Sequence, residues 1–220
     1  MQINKRLVIC FIGIDGSGKT SNALAVHKYL ASKNINCRYI HHSFSLLDYI
    51  LPFFKDRVRS YASKLSVKNT PITGSPAKHS PKTKVTAFIF CLFAVINSFV
   101  SHIIEASPFF KGVIVYDRYT YDHIMPYINL IPKFWAKVFI KLIGQPSIIF
   151  ALQVDSKIAF ERKREDSLDF YVYQSKLVSG FVSNFTFRNI VKIDANLDQD
   201  EIKTQVIKCA DKLIKANTNG

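Results

Sequence analysis

Three glycines, a lysine and a threonine lie close together near the start of the chain, in the stretch GIDGSGKT from Gly13 to Thr20. The stretch matches the pattern G-x-x-x-x-G-K-[ST], in which backbone amides converge on the oxygens of a polyphosphate. Glycine is needed at Gly13, Gly16 and Gly18 because a side chain there would obstruct the phosphate or forbid the required dihedral angles. The spacing therefore predicts a loop that binds the phosphates of a nucleotide.

Residues of this loop have different predicted tasks. The Lys19 ammonium can reach the outer phosphates, and the Thr20 hydroxyl can coordinate Mg²⁺. A helix that begins near Lys19 would add the positive end of its dipole. We therefore predict a nucleotide and Mg²⁺ as cofactors. The predicted cofactor-binding residues are Gly13, Asp15, Gly16, Ser17, Gly18, Lys19 and Thr20.

A second group of polar residues follows the apolar run GVIVY, in the stretch KGVIVYDRYTYDHI. Ligands of open parallel sheets bind at the carboxyl ends of the strands, so Asp117 and Arg118 would lie near the phosphate loop. An Asp there can hold Mg²⁺ together with Thr20, and an Arg can bind a phosphate with two hydrogen bonds. An ordinary ion pair at a strand end is the alternative. The predicted acceptor-binding residues of this stretch are Arg118, Tyr119, Tyr121 and Asp122.

A third charged group lies in the stretch DSKIAFERKREDSLDF, where a helical segment ends in a dense cluster of charges. Mobile guanidinium groups can neutralise the charge that develops during phosphoryl transfer while they exclude water. We predict a short lid at about 161–169, with Arg162 and Arg164 as catalytic residues beside Lys19 and Arg118. A solvated helix end with local salt bridges is the alternative.

The elements that must position these residues alternate along the chain. Short runs rich in Val, Ile and Phe recur between longer segments with helical spacing of apolar residues. Strands that are apolar on both faces and alternate with helices indicate an α/β domain, with a doubly wound, three-layer, parallel five-stranded sheet. The predicted strands are Leu7–Ile12, Arg38–His42, Gly112–Tyr116, Ile148–Val154 and Ile190–Ile193, and the clearest helical segments are Ser17–Ser32, Asp155–Glu165 and Gln199–Lys215.

Length and charge restrict the class of protein further. The 220 residues suit a single domain over 1–220, and the net charge of +14 favours anionic partners. The interval 55–84 holds eight basic residues against one acid, and within it we predict a mobile basic insertion at 63–84. The cysteines are not spaced as metal ligands, and the N-terminus has no cleavage site for export. We therefore expect a cytoplasmic protein with reduced thiols and no specific nucleic-acid partner.

Two segments leave contact with a membrane open. Val85–Ile104 is nearly long enough to cross a bilayer, but polar residues interrupt its second half, which favours a helix buried against the sheet. In the stretch NLIPKFWAKVFIKLIG, Lys133, Lys137 and Lys141 recur every fourth residue among apolar side chains. Such a helix can lie on an anionic membrane surface, and it can also pack on its own domain with the lysines in water.

Together these motifs resemble the thymidylate kinase family of nucleoside monophosphate kinases. The likeness lies in GIDGSGKT with the acidic Asp15, in DRY from Asp117 to Tyr119, in VDSKIAFERKRED, and in KIDANLDQDEIKTQV from Lys192 to Val206, in the family's order. The resemblance implies a P-loop NTPase fold, the acceptor phosphate at Arg118, the nucleoside sugar near Asp15 and adenine near the last stretch. It also implies that a homodimer is common.

The acceptor side departs from the family pattern. After the second strand the chain has His41, His42 and Ser43 in place of Arg-Glu-Pro-Gly, and Asn97 stands where a base-contacting arginine is expected. A site without these hydrogen-bonding partners would discriminate thymine poorly. We therefore predict an ATP-dependent kinase of a nucleoside monophosphate, thymidine monophosphate by resemblance. The alternatives are a kinase of a sugar, glycan or lipid-linked acceptor at a membrane, and a nucleotide-binding module without turnover.

Overall fold

A computed structural model of the protein describes residues 3–41, 81–104 and 109–218. Within these residues, five parallel strands form one sheet in the order β2-β3-β1-β4-β5. The predicted α/β sheet is confirmed, and each predicted strand lies within one residue of its observed ends. The strands are β1 Arg6–Gly13, β2 Cys37–His41, β3 Gly112–Asp117, β4 Ile148–Gln153 and β5 Ile190–Asp194.

Helices lie on both faces of this sheet. The described helices are α1 Lys19–Ser32, α2 Pro81–Ile104, α3 Thr120–Ile128, α4 Lys133–Ile143, α5 Ser156–Lys163, α6 Leu168–Asn184 and α7 Gln199–Thr218. Helices α1 and α7 pack together on one face, whereas α2, α3, α4 and α6 form the layer on the other. The arrangement is the predicted doubly wound, three-layer domain.

The sheet is held by strands that are apolar on both faces. In β1 and β3 nearly every side chain is buried, and Phe11 of β1 stacks on Phe150 of β4 with ring centroids 5.1 Å apart. Burial of one such ring stabilises the fold by about 2 to 3 kcal/mol. The same burial fixes the register, in which Phe11 pairs with Asp117 and Gly13 with Leu152. The carboxyl ends of β1, β3 and β4 therefore lie side by side.

Two helices were not among the predicted segments. Helix α3 begins directly after the polar residues that follow β3, and it contains Pro126. Helix α6 has seventeen residues and is capped by Ser167, whose hydroxyl accepts a hydrogen bond from the Phe170 amide. Its start lies inside the segment predicted as a lid, so the turn between α5 and α6 is only residues 164–167.

Helix α2 differs from its prediction at both its start and its packing. It begins at Pro81, so residues 81–84, predicted as the end of the insertion, are helical, while residues 63–80 lie outside the described part of the chain. Proline is favourable in a first helical turn because the missing amide would have no partner there. The helix packs mainly on α3 and α4 rather than on the sheet. By length and composition, Lys84–Ile103 is apolar enough to cross a membrane, with 39% of its most apolar window buried in the domain.

Candidate active site

The loop between β1 and α1 has the backbone that its glycines predict. Gly16 and Gly18 have φ angles of +78° and +88°, in the left-handed region. A Cβ atom on Gly16 would lie 2.6 Å from the carbonyl oxygen of Ala159, so α5 packs directly on the loop. Glycine is therefore required at Gly16 both for its dihedral angles and for this close approach.

Lys19 is folded back onto the loop. Its ammonium donates hydrogen bonds of 2.7 Å to the carbonyl oxygens of Gly13 and Ile14, and it lies 3.7 Å from Asp15 Oδ1. The side chain is almost fully buried, and this burial lowers the pKa of the ammonium, while the nearby carboxylates, Asp122 first, oppose the shift. Lys19, which is predicted to bind phosphate, is thus held at the loop by two carbonyl oxygens, and phosphate oxygens can take their place.

Asp117 at the end of β3 connects this strand to α1 and β2. Its Oδ2 atom accepts hydrogen bonds from Thr20 Oγ1 at 2.7 Å and from Tyr39 OH at 3.0 Å, and His41 Nδ1 lies 2.9 Å from it. Burial and the bond to Asp117 raise the pKa of Tyr39 to about 12, so the phenol remains a donor. The structure therefore brings the predicted Thr20 and Asp117 together, and it adds Tyr39 and His41 of β2.

The same residues fit a magnesium site. The Oδ1 atom of the buried Asp117 has no hydrogen-bond partner among the described residues. Thr20, which donates to the other oxygen of this carboxylate, is exposed. Mg²⁺ prefers hard oxygen ligands and keeps several waters beside substrate phosphates, so it needs only one or two protein ligands. Thr20 and Asp117 would hold the ion through these oxygens.

Arg118 follows Asp117 and is paired with the phosphate loop. Its guanidinium donates to Asp15 Oδ1, and its backbone is in the left-handed region with φ +70°. Burial alone would raise the pKa of Asp15, but the charges of Lys19 and Arg118 outweigh it and lower that pKa. The Asp15 amide donates to Gln174 Oε1 of α6 at 3.1 Å. Arg118 is thereby held beside the loop, as predicted for a residue that contacts the acceptor.

Asp122 has a different setting from the other carboxylates. Both of its oxygens are buried and have no hydrogen-bond partner among the described residues. Burial raises the pKa of Asp122 to about 6, although Lys19 and Arg118 act in the opposite direction. This predicted acceptor contact is therefore a buried carboxylate near the loop that does not open into the cleft.

The two tyrosines predicted at the acceptor site lie in the core instead. Tyr119 donates to the carbonyl oxygen of Ile143 at 3.4 Å, and its hydroxyl lies 3.2 Å from His102 Nε2. Tyr121 is fully buried and donates to the carbonyl oxygen of Gly144 at 2.8 Å. Both side chains point into the protein because α3 packs its first turn inward, so neither reaches the cleft.

The two arginines predicted for the lid have separate positions. Arg162 donates to the carbonyl oxygen of Ala195 at 3.0 Å and lines a small cavity of about 30 Å³ beside Gly16 and Gly18. Ala195 lies in the stretch that the resemblance places near adenine. Arg164 caps the end of α5 with φ +49°, and its exposed side chain pairs with no described residue. The structure brings Arg162 to the loop but not Arg164.

Sequence reasoning missed Tyr39, His41 and Gln174. Each belongs to an element that no motif marks, and each reaches the site only because of strand order or helix packing. His41 was noted only as a departure from the family pattern, and its contact with Asp117 follows from the pairing of β2 with β3. His42 and Ser43, noted with it, lie outside the described residues, and Asn97 is buried in α2.

Comparison with known proteins gives a likeness in structure and none in sequence. No protein-family model matches the chain, and no curated protein matches it. A solved structure of deoxyadenosine kinase from M. mycoides with bound dCTP matches with a TM-score of 0.53 and 15% identity, covering 94% of this chain and 100% of that one. A second structure of that enzyme, with its products dCMP and dCDP, matches with a TM-score of 0.52 and 16% identity, covering 96% and 100%. The chain therefore shares the P-loop kinase fold.

Proposed function

We propose that the protein is an ATP-dependent phosphotransferase whose acceptor is a nucleoside or a nucleoside monophosphate. The observation that carries the proposal is the meeting of the phosphate loop with Asp117 and Arg118 at one edge of the sheet. A protein that only binds a nucleotide needs the loop but has no need of an arginine beside it. Phosphoryl transfer does need one, because negative charge spreads over the moving group in the transition state.

In the proposed reaction an acceptor oxygen attacks the γ-phosphorus of ATP in line, and the bond to the leaving ADP breaks. Lys19 exchanges its bonds to two loop carbonyls for bonds to the outer phosphates. Arg118 orients the acceptor, and Asp15 holds the guanidinium of Arg118 in place. Arg162 covers the nucleotide-binding side of the loop. Mg²⁺ at Thr20 and Asp117 would supply charge neutralisation. No covalent intermediate with the protein is expected.

Two compounds are the leading candidates for the phosphate acceptor. Thymidine monophosphate is suggested by the order of motifs, and a deoxynucleoside is suggested by the deoxyadenosine kinases that share the fold. They differ at the attacking atom, because a phosphate oxygen is already ionised whereas a 5′-hydroxyl must lose a proton to a base. Arg118 suits a phosphate acceptor, since guanidinium binds phosphate with two parallel hydrogen bonds.

The test is ADP release from Mg·ATP with a panel of thymidine monophosphate, thymidine, deoxyadenosine, deoxycytidine, sugars and membrane extract. We expect turnover with at least one nucleoside or nucleotide. Lys19→Ala should lower kcat by about 100-fold or more, because loss of one transition-state donor typically costs 10²–10³. Lys208→Ala in α7, an exposed lysine far from the loop, is the matched control and should retain full activity.

Other outcomes separate the alternatives. ADP release with membrane extract alone would favour a lipid-linked or glycan acceptor over a nucleotide. Tight ATP binding without ADP release on the whole panel would favour a nucleotide-binding module. Turnover that survives Lys19→Ala unchanged would refute the role given to the loop.

A further inference from the structure

Six large apolar residues of α2 face away from the domain and are 42–66% exposed. The fully buried residues of the helix have small side chains, and Phe88 and Phe90 are partly buried against the core beside them. The outward residues recur at alternating steps of four and three, so they form one continuous stripe along the helix. The inward residues are Ala87, Cys91, Ala94, Asn97, Ser98 and Ser101, and the outward residues are Val85, Ile89, Leu92, Ile96, Phe99 and Ile103.

This stripe continues onto α4. Phe88 of α2 contacts the ring of Trp135 edge-on, with centroids 5.4 Å apart. On α4, Phe134, Trp135 and Leu142 are 68%, 43% and 60% exposed. Exposed apolar patches of this extent on soluble proteins mark surfaces that bind a partner or a membrane. We call the outward residues of α2 and these three residues the α2–α4 face.

Positive charge borders the α2–α4 face. Lys133, Lys137 and Lys141 of α4 are exposed, and neither α2 nor α4 contains an acidic residue. Lys137 and Lys141 also line a groove of about 910 Å³. Five exposed cations line this groove, and no carboxylate does among the described residues. The cations are Lys5, Arg6, Lys137, Lys141 and Arg188.

The cations of the groove have no acidic partner in the described part of the chain. None of the five forms an ion pair with a described residue. The groove lies at the amino ends of the strands, since Arg6 begins β1 and Ser147 and Asn189 directly precede β4 and β5. It is therefore distinct from the candidate active site, which lies at the carboxyl ends.

We infer that the α2–α4 face and its basic groove bind the surface of an anionic lipid membrane. The apolar stripe and Trp135 would enter the boundary between headgroups and acyl chains, where tryptophan is favoured. The lysines and the groove would contact headgroup phosphates. Lipid is favoured over a second copy of the chain because anionic headgroups complement the lysines of α4 beside the stripe, whereas α2 and α4 offer no carboxylate to pair with them.

Trp135 allows a direct test because it is the only tryptophan in the sequence. Titration with phosphatidylglycerol vesicles should shift its emission to the blue, and brominated acyl chains should quench it. Phosphatidylcholine vesicles should give a much weaker effect, and salt should weaken the anionic interaction because it screens exposed charges. No blue shift and no co-flotation with phosphatidylglycerol vesicles at low salt would overturn the inference.

Variants test the two parts of the surface. Lys137→Glu with Lys141→Glu should weaken vesicle binding at least tenfold, since each lysine near an anionic surface contributes about 1 kcal/mol. Lys157→Glu with Lys208→Glu, at exposed lysines of α5 and α7 that do not line the groove, makes the same charge change and should retain binding. Ile96→Gln with Phe99→Gln should weaken binding without changing far-ultraviolet circular dichroism. Equal losses in the α4 pair and this control pair would overturn the assignment to α4.

Binding of a second copy of the chain to the α2–α4 face would give different results. Sedimentation would detect a second copy as a concentration-dependent dimer, with Trp135 already shielded in the absence of lipid. A stable dimer that Ile96→Gln with Phe99→Gln converts to monomer, together with absence of vesicle binding, would replace the membrane by a second copy. Kinase activity in solution is read separately, so failure of this inference leaves the proposed function untouched.

Discussion

The carboxylates of Asp15, Asp117 and Asp122 lie around the phosphate loop, and they do not share one environment. Asp15 pairs with Arg118, and Asp117 accepts bonds from Thr20 and Tyr39. Asp122 is buried without a hydrogen-bond partner among the described residues. Burial of an unpaired carboxylate favours its protonated form. The stability of the protein should therefore depend on pH through Asp122.

Asp122→Asn tests this dependence. Because the folded pKa of Asp122, about 6, exceeds the ordinary value of 3.8, the folded state binds the proton more tightly than the unfolded state. The stability that this proton contributes is therefore fully present below pH 4 and is lost as the pH rises through 6. A shift of about two units corresponds to about 3 kcal/mol at most. We expect Asp122→Asn to raise the free energy of unfolding by about 1 to 3 kcal/mol at pH 7.5, and by about half as much at pH 5, in urea titrations.

Asp166→Asn is the control for that experiment. Asp166 is exposed and pairs with no described residue, so its replacement should leave stability unchanged at both pH values. An equal gain from Asp122→Asn at pH 5 and pH 7.5 would contradict the role given to its ionisation.

At the residue scale, sequence reasoning succeeded where the site is local. Gly13 to Thr20 form one loop, so their spacing alone places Lys19 and Thr20. It failed where side-chain direction depends on packing: Tyr119 and Tyr121 follow Arg118 directly, yet α3 turns both inward. Adjacency in sequence to a site residue does not determine which way a helical side chain points.

At the scale of elements, the phosphate loop depends on α5 as a support. Gly16 → Ala would place a methyl group 2.6 Å from the Ala159 carbonyl oxygen, at a left-handed φ angle. We expect this variant to lose stability by about 1 to 3 kcal/mol and to weaken ATP binding, because strained backbone at a functional site costs that much. Urea unfolding and ATP titration of the variant measure both effects.

Gly180→Ala gives the opposite expectation. Gly180 lies inside α6, and an added Cβ there would meet no atom within 4 Å. The helix should gain about 0.5 to 1 kcal/mol because alanine loses less backbone entropy than glycine. A destabilised Gly180→Ala, or a Gly16→Ala as stable as the wild type, would mean that the helices are packed differently.

The predicted strands and most helices follow from apolar runs that end at glycine or polar residues. Helix α6 was missed because the charges around Arg162 suggested a lid, and the capping hydroxyl of Ser167 three residues before Phe170 was overlooked. Helix α2 was recognised, but six of the large apolar residues that suggested burial against the sheet lie on its outward face. Apolar periodicity identifies a stripe but does not identify what covers it.

At the scale of the whole molecule, ligand binding at the loop should stabilise the fold. A ligand that binds only the folded state at 100 times its Kd adds about 2.7 kcal/mol. For a domain of this size, that corresponds to a rise in Tm of about 5 to 10 °C. We expect such a rise with Mg·ATP in a thermal unfolding experiment.

Lys19→Ala distinguishes nucleotide binding at the phosphate loop from a general effect of anions on Tm. With Lys19→Ala, the rise in Tm between the absence and presence of Mg·ATP should largely vanish, because the lysine that reaches the phosphates is missing. Comparison of shifts rather than of Tm values removes any effect of the variant on stability itself. The same shift in Lys19→Ala as in the wild type would place the nucleotide elsewhere.

The first strand also sets a distance. It runs from Arg6, which lines the basic groove, to Gly13 at the loop, and eight residues at about 3.3 Å each extend roughly 25 Å. An anion in the groove would therefore lie too far from the loop to compete with ATP, so lipid headgroups and nucleotide could be bound at the same time.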